Sequence, residues 1–370
     1  GSAATRVNAQ GLVENVQILS DELVSNGNFS QIGTEEVSNG NFSQEGSELT
    51  PAVDFGTSDF EANPSSGSVS ESNGTLTFNN SSSNGTQIQL KNRSISDNKI
   101  YKITYTLSNF TSGNFRISVG NQTTDSINYN DAGAEGTHTF YLTKTSGLNR
   151  NYFYTDDSTL TVSNISVKEV GQDWDLQTGW SIGDGVANYD ATSTGAELRQ
   201  LMLSIAVGKT IKIQFDISDI AATKDAFFKL DCSGAPESIF GYTKFSQGTY
   251  TYYHTITSGF DRLTFTALNS STGGAFSITN ISVKEVGQDW TFGTGWGVDQ
   301  ANSKAVSDTT ASNLTPSTTL ISGRKYKFSL NSEAVSSGSY SFLLRFNSTN
   351  TDIGVINSDG SHEFVAIADS

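Results

Sequence analysis

Apolar and polar residues alternate with a period of two through three related stretches of the chain. They are Tyr101, Ile103, Tyr105 and Leu107 in "YKITYTL", Ile211, Ile213, Phe215 and Ile217 in "IKIQFDI", and Tyr326, Phe328 and Leu330 in "YKFSLNS". That period sends one row of side chains into a core and the other to an open face, so each stretch is predicted as a strand of a half-covered sheet. A second strand is predicted at "FRISV" from Phe115, "FKLDC" from Phe228 and "LRFNS" from Leu344. A third begins at Gly136 ("GTHTFYLT"), Gly248 ("GTYTYYHT") and Gly360 ("GSHEFVAI"), each start 112 residues after the last. "YFYTDD" around Phe153 and "LTFTAL" around Phe265 correspond further downstream, and the unit closes on "ISVKEV".

The pattern therefore predicts an all-β chain of tandem β-sandwich domains. Module 1 is expected over 21–170, module 2 over 171–286 and an incomplete module 3 over 287–370, after an N-terminal extension at 1–20 that fits no repeat. Only 10 residues follow Gly360, against 38 between Gly248 and Val286, so the third copy reads as truncated or as completed by strands from another chain. The stretch "NISVKEVGQDW" occurs unchanged at Asn164–Trp174 and Asn280–Trp290, 116 residues apart. It holds no histidine, cysteine or phosphate-cradling glycine loop, so it reads as architecture. "ISVKEV" is expected to be the last strand, with Ile165, Val167 and Glu169 in one row and Ser166, Lys168 and Val170 in the other. "GQDW" is then a hinge, and identical hinges give successive modules similar orientations. A smaller duplication, "VSNGNFSQ" at Val24–Gln31 and Val37–Gln44, contains the turn-forming Asn-Gly pair and reads as tandem or alternative first strands leading into module 1.

Composition narrows the function. Ser, Thr, Asn and Gly are abundant, as in short strands joined by polar turns, yet 22 Phe, 13 Tyr and 4 Trp are too many aromatics for a disordered chain. A formal charge of -16 repels phosphate backbones and anionic lipid, so no nucleic acid partner is expected. Cys232 is the only cysteine, which excludes an intramolecular disulfide. No apolar run is long enough for a spanning helix, so no membrane insertion is expected. The chain starts at Gly1-Ser2 and its only methionine is Met202, so it reads as a piece of a longer protein.

"ELVSNGNFSQ" (Glu22–Gln31), followed by Gly-Trp pairs such as Gly179-Trp180 and Gly295-Trp296, resembles the opening of family 4, 9 and 22-like carbohydrate-binding modules. These are jelly-roll sandwiches, and "ISVKEV" looks like their last strand. The repeats with "TGW" and "ISVKEV", together with "ATRVNAQGLVE" (Ala4–Glu14), also resemble tail-fibre and minor structural proteins of tailed, especially marine, bacteriophages. That resemblance implies tandem jelly rolls on a virion surface, other virion proteins and host-surface glycans as partners, and a homo-oligomer, although no heptads argue for one. Carbohydrate-binding modules often hold a structural calcium near the first and last strands. Here Asn28, Asn164 and Asn280 stand at those places and compensate less charge than aspartate, so no cofactor is expected, with calcium admissible through Asp156 and Asp157.

Candidate chemistry is sparse. His138, His254 and His362 fall on the same recurring strand and are expected at the rim of a core rather than as ligands or bases. No nucleophile elbow, Walker loop or HExxH is present, and no catalytic residue is assigned. Trp174 with Trp180, and Trp290 with Trp296, sit at predicted boundaries and are expected to plug module junctions, although exposed rings could instead stack on sugars. Lys102 and Lys212, Arg116 and Lys229, and Arg150 and Arg262 recur at matching open-face positions, beside Tyr141 and Tyr253. They are the candidate glycan-binding set, against the plainer role of charges that keep strand faces soluble. The expected function is a non-enzymatic virion structural protein, part of a phage fibre or surface decoration. The alternative is a secreted, extracellular bacterial adhesin or carbohydrate-binding array attached to an enzyme outside this segment.

Overall fold

A computed structural model describes residues 5–7, 9–15, 20–50, 60–64, 67–80, 86–90, 95–111, 113–119, 126–129, 135–145, 151–232, 237–308, 310–335, 342–346 and 349–368. Strand dominates, and the one helical element among the described residues is a short 3-10 turn at Gln300–Asn302. The chain divides into two compact units, one of Asn28–Gln288 with Phe292–Asn313 and the other of Gly1–Gly27, Asp289–Thr291 and Leu314–Ser370.

The larger unit contains two antiparallel jelly-roll sandwiches of matching topology. In module 1 one sheet runs in the order Ser126–Tyr129, Asn114–Val119, Asn151–Asp156, Thr86–Leu90, Phe60–Pro64. The facing sheet runs Gly136–Lys144, Lys99–Ser108, Ser158–Val170, Thr75–Asn80, Ser68–Ser72. Module 2 repeats both orders: Ser238–Phe245, Ala226–Asp231, Phe260–Ala267, Ala196–Ile205, Asp175–Leu176, and Gly248–Thr255, Thr210–Ser218, Phe276–Val286, Val186–Tyr189, Trp180–Gly183.

The alternation seen in the sequence is what the cores use. Tyr101, Ile103, Tyr105 and Leu107 are all buried, as are Ile211, Ile213, Phe215 and Ile217, while the residues between them are half-exposed. Phe215 lies 5.7 Å from Phe228, 5.7 Å from Phe245 and 5.8 Å from Phe265, all edge-on or tilted contacts that suit ring quadrupoles. Burying each such ring contributes roughly 2 to 3 kcal/mol, which lets a polar chain without cross-links hold two sandwiches.

The closing strand departs from simple alternation. Asn164 and Asn280 sit in the left-handed region, φ 52° and 51°, where a bulge shifts the register against the neighbouring strand. Asparagine tolerates that conformation better than most residues. The bulge flips the buried row from Leu160 and Val162 to Ile165 and Val167. Beyond it the pairing stays regular, Val167 opposite Ile103, Glu169 opposite Tyr101 and Val170 opposite Ile100. Glu169 therefore follows Ile165 and Val167 in their row at its half-buried end, while Val170 is buried on the other face in the core shared with Trp174, Trp180 and Ile182.

In the other unit Lys325–Ser332 pairs with Gly360–Ile367, and Phe342–Phe346 with Thr351–Ile356. One detail repeats across modules: the hydroxyl of Tyr326 accepts from the Ile321 amide at 2.8 Å, as that of Tyr101 accepts from Ser96 at 2.7 Å.

Candidate functional site: two matched docking segments

The duplicated N-terminal segments do not both lead into module 1. Glu45–Glu48, after the second copy, pairs with the closing strand of module 1, whereas Ile32–Glu35, after the first, pairs with the closing strand of module 2. Each copy of one repeat is seated on a copy of the other.

Local chemistry shapes the segment. Asn26 and Asn39 both adopt φ 49°, and Phe29 and Phe42 adopt φ 53° and 54°. The Asn28 and Asn41 side-chain oxygens accept from the backbone and hydroxyl of Ser30 and Ser43, closing each loop two residues on. Each chain then runs out as an edge strand in the same register, Glu35 opposite Lys284 and Ile32 opposite Val286, Glu48 opposite Lys168 and Glu45 opposite Val170.

Two side-chain locks follow. Glu48 accepts from the Val167 amide at 2.8 Å and the Ser166 hydroxyl at 2.5 Å; Glu35 accepts from the Val283 amide at 2.7 Å and the Ser282 hydroxyl at 2.6 Å. The indole of Trp174 donates to the Asn39 carbonyl and that of Trp290 to the Asn26 carbonyl, both at 3.1 Å. Gly33 and Gly46 make room for this approach: a Cβ would lie 2.8 Å from the Gln288 amide nitrogen and 2.7 Å from that of Gln172. The first module's closing strand carries an additional charge cluster. Lys102 and Lys168 both reach Glu45, at 2.6 and 2.8 Å, and their hydrogen bonds hold its carboxyl down at about 2. Burial pushes Glu48 upward, but hydrogen bonds from Ser166, Thr50 and Val167 outweigh it and leave the group below the usual range.

The structure gives most of the candidate glycan residues protein partners. Besides the Lys102 pair, Tyr141 points its hydroxyl at Asp184 at 3.4 Å and would meet a Cβ at Gly183 at 3.0 Å, so it stands where module 2 begins. Lys212 reaches Gln300 at 3.3 Å, and Tyr253, beside it in register, lies in the field of Asp299. Arg116 lies 5.4 Å over the ring of Tyr154, Lys229 pairs with Asp231 at 2.7 Å, and Arg262 with Asp261 at 3.2 Å. Arg150 lies outside the described residues. The tryptophans divide by role. Trp174 packs 5.1 Å from Phe42 where the modules meet, while Trp180 packs on Tyr189 and Phe276 inside the module 2 core and donates to Ala196. Trp296 donates in the same way to Ser312, and Trp290 holds the first segment.

Two other features were not legible from strand periodicity. Cys232, Glu237 and His254 place donor atoms within 4.8 Å of one another. The arrangement suits a satisfied anion better than a metal. Glu237 accepts from the amides of Thr257, Ser258 and Gly259, from the Ser258 hydroxyl and from His254. Burial raises that carboxyl, yet these bonds prevail and lower it to about 2, while burial pushes the Cys232 thiol up to about 12. The second feature is an open groove of about 690 Å³ beside the module junction, lined among others by Glu35, Lys99, Asp173, Trp174, Arg199 and Leu201. His138 lies against Tyr105, and His362 bonds Ser332. Of the asparagines placed near the calcium positions of the resembled modules, Asn28 is committed to Ser30, and Asn164 and Asn280 form the bulges, donating to Thr106 and Asp216.

The locking glutamates were missed by reading the duplication as "VSNGNFSQ". The identity continues, as Gln-x-Gly-x-Glu in both copies, to Gly33 and Glu35 and to Gly46 and Glu48.

No protein-family model matches the chain. Among curated proteins there is no match either. Solved structures that overlay on it include the tandem CBM22-1–CBM22-2 domain of Xyn10C from Paenibacillus barcinonensis, at 11% identity and TM-score 0.27, covering 66% of this chain and 99% of that one. Another is the triple jelly-roll protein of an archaeal virus turret, at 14% identity and TM-score 0.21, covering 84% of this chain and 85% of that one. A third, from Sulfolobus turreted icosahedral virus, is 15% identical at TM-score 0.20, covering 77% of this chain and 79% of that one. At these scores none bears on function; the jelly-roll assignment rests on the chain's own sheet orders.

Proposed function

We propose that the chain is a non-enzymatic structural array, a fibre or surface decoration of a virion, that holds jelly-roll modules in a set order and presents them to host-surface glycans. The observation that carries this reading is the matched pair of docking segments: the same lock is applied at the end of module 1 and of module 2. Such a lock sets geometry and leaves no reacting group, and the principal titratable cluster outside it, Cys232 with Glu237 and His254, is internally satisfied. Its glycan-facing surface is the groove beside Trp174 and Arg199, where an apolar ring edge, Leu201 and charges of both signs lie together. Arg199 is paired there with Asp175 on the neighbouring strand, so the groove presents a fixed ion pair beside the ring.

Peptide mass spectrometry on purified particles from the source culture tests the location. Recovery of the chain with the particles supports the reading, and its presence only in the particle-free supernatant moves it to the secreted class. A glycan array tests the ligand: binding lost on Arg199→Ala supports the groove, and an array with no signal leaves the chain as a spacer.

A further inference from the structure

We propose that docking segment and closing strand form a portable recognition pair, and that the segment of a second copy of this chain docks on the strand in place of the chain's own. The inference is independent of the virion reading. Its first ground is chemical identity. The two strands are identical from Asn164 to Trp174 and Asn280 to Trp290, and the two segments agree at the Asn-Gly turn, the aromatic, the glycine and the locking glutamate. Either segment can therefore make the backbone, glutamate and tryptophan contacts of either strand, while the bonds of Ser38 to Gln200 and of Glu45 to Lys102 and Lys168 belong to the second copy alone.

Its second ground is connectivity. The locking contacts join residues far apart in sequence, from Thr50 with Ile165 at a separation of 115 to Asn26 with Trp290 at 264. None of them involves groups held close by the chain, so nothing in the contact set distinguishes a chain's own segment from another's. Strand addition through backbone bonds, with a few side chains for register, is a general mode of peptide capture.

What favours the internal arrangement is effective concentration, which for a flexible tether is of millimolar order. Crowding many copies together removes that advantage, and exchange of identical elements then links the copies. The net charge of -16 opposes the approach of two chains, so added salt should strengthen the exchange rather than weaken it.

The test uses full-length protein and a fluorescent synthetic peptide of residues 22–36. Glu35→Ala with Glu48→Ala in the full chain weakens both internal locks and leaves both strands intact. The labelled peptide is expected to bind this variant at two equivalents per chain and the wild type at least about tenfold more weakly, because the wild type's own segments compete. A peptide carrying Glu35→Ala should bind about tenfold less well than the unmodified one, through loss of a charge-assisted lock. Mixing variant and wild-type chains should give a heterodimer in sedimentation that excess peptide dissolves and salt promotes. Absence of peptide binding, equal binding of the two peptides, or no heterodimer overturns the proposal. Should the alanine variant fail to fold by circular dichroism, Glu35→Gln with Glu48→Gln serves the same titration with the same outcomes.

Discussion

The two segments have the same eight residues, "VSNGNFSQ", but different surroundings. In the second copy Val37 and Phe42 are buried at 6% and 3%, the Ser38 backbone is gripped in both directions by the buried Gln200, and the Gly40 carbonyl accepts from the Ile281 amide at 3.0 Å. In the first copy Val24 is only half-buried, and a Cβ at Gly27 would meet nothing nearer than Val24 at 3.7 Å. The sequence-encoded part of the lock is the turn, the glutamate and the tryptophan bond. The additional burial belongs to whatever lies across from it, here the first strands of module 2, whose Trp180 and Ile182 share a continuous core with Val37, Phe42, Ile100 and Val170.

The largest expected separation between the copies comes from the tryptophans. Trp174→Ala empties a buried site against Phe42 and should cost about 3 to 5 kcal/mol. Trp290→Ala, at a half-buried ring, should cost roughly half that. Thermal melts of the two variants decide it, and equal losses would show that the extra burial of the second copy carries no stability. Glycine gives the next contrast. A Cβ at Gly40 would lie 1.9 Å from the Ile281 carbonyl oxygen, so Gly40→Ala should cost about 2 to 3 kcal/mol, whereas Gly27→Ala should stay within about 0.5 kcal/mol.

A smaller difference is expected at the glutamates. Glu48→Gln loses charged acceptors for Ser166, Val167 and both donors of Thr50; Glu35→Gln meets Val37, which has no hydroxyl, in place of Thr50. After discounting for exposure, about 1 kcal/mol is expected for Glu48 and somewhat less for Glu35 by denaturant titration. Acid should act in the same direction. Glu45, Glu48 and Glu237 are all held below their ordinary values, so their contribution is fully present above about pH 4.5 and is lost as pH falls toward 2. Chemical denaturation should therefore give a flat stability from pH 7 to 5 and a decline below; Lys102→Ala should shrink the decline in module 1 and leave module 2 unchanged. The smallest effect is a control. Cys232, fully buried with its thiol pushed up to about 12, should resist alkylation at pH 8 in the native chain and react once the chain is unfolded.

Much of the fold was readable because burial in a sandwich imposes a period of two, and the copied modules repeat it, as at Tyr101 and again at Ile211. The closing strand was also readable, with Ile165 and Val167 in its inner row, but not the change of parity between that row and Leu160 and Val162. A bulge at one asparagine flips the parity, and the sequence "SNIS" carries no mark of where its backbone turns left-handed. The glycan candidates Lys102, Lys212, Tyr141 and Tyr253 were chosen for recurrence at open positions, and recurrence at those positions also follows from their place where the next module begins.

By itself the sequence determined the class of structure, the copying of a module and the places where the copies meet, because periodicity and identity are properties of the chain alone. Only the tertiary structure decided which segment meets which strand. Edge-strand pairing is set by backbone hydrogen bonds and a single glutamate reaching across 119 or 248 residues, and the two segments are too alike for local sequence to choose between them. The choice falls to the surfaces on either side: Gln200 and Ile281, from the two facing sheets of module 2, grip the second copy, and they come together only once that sandwich has closed.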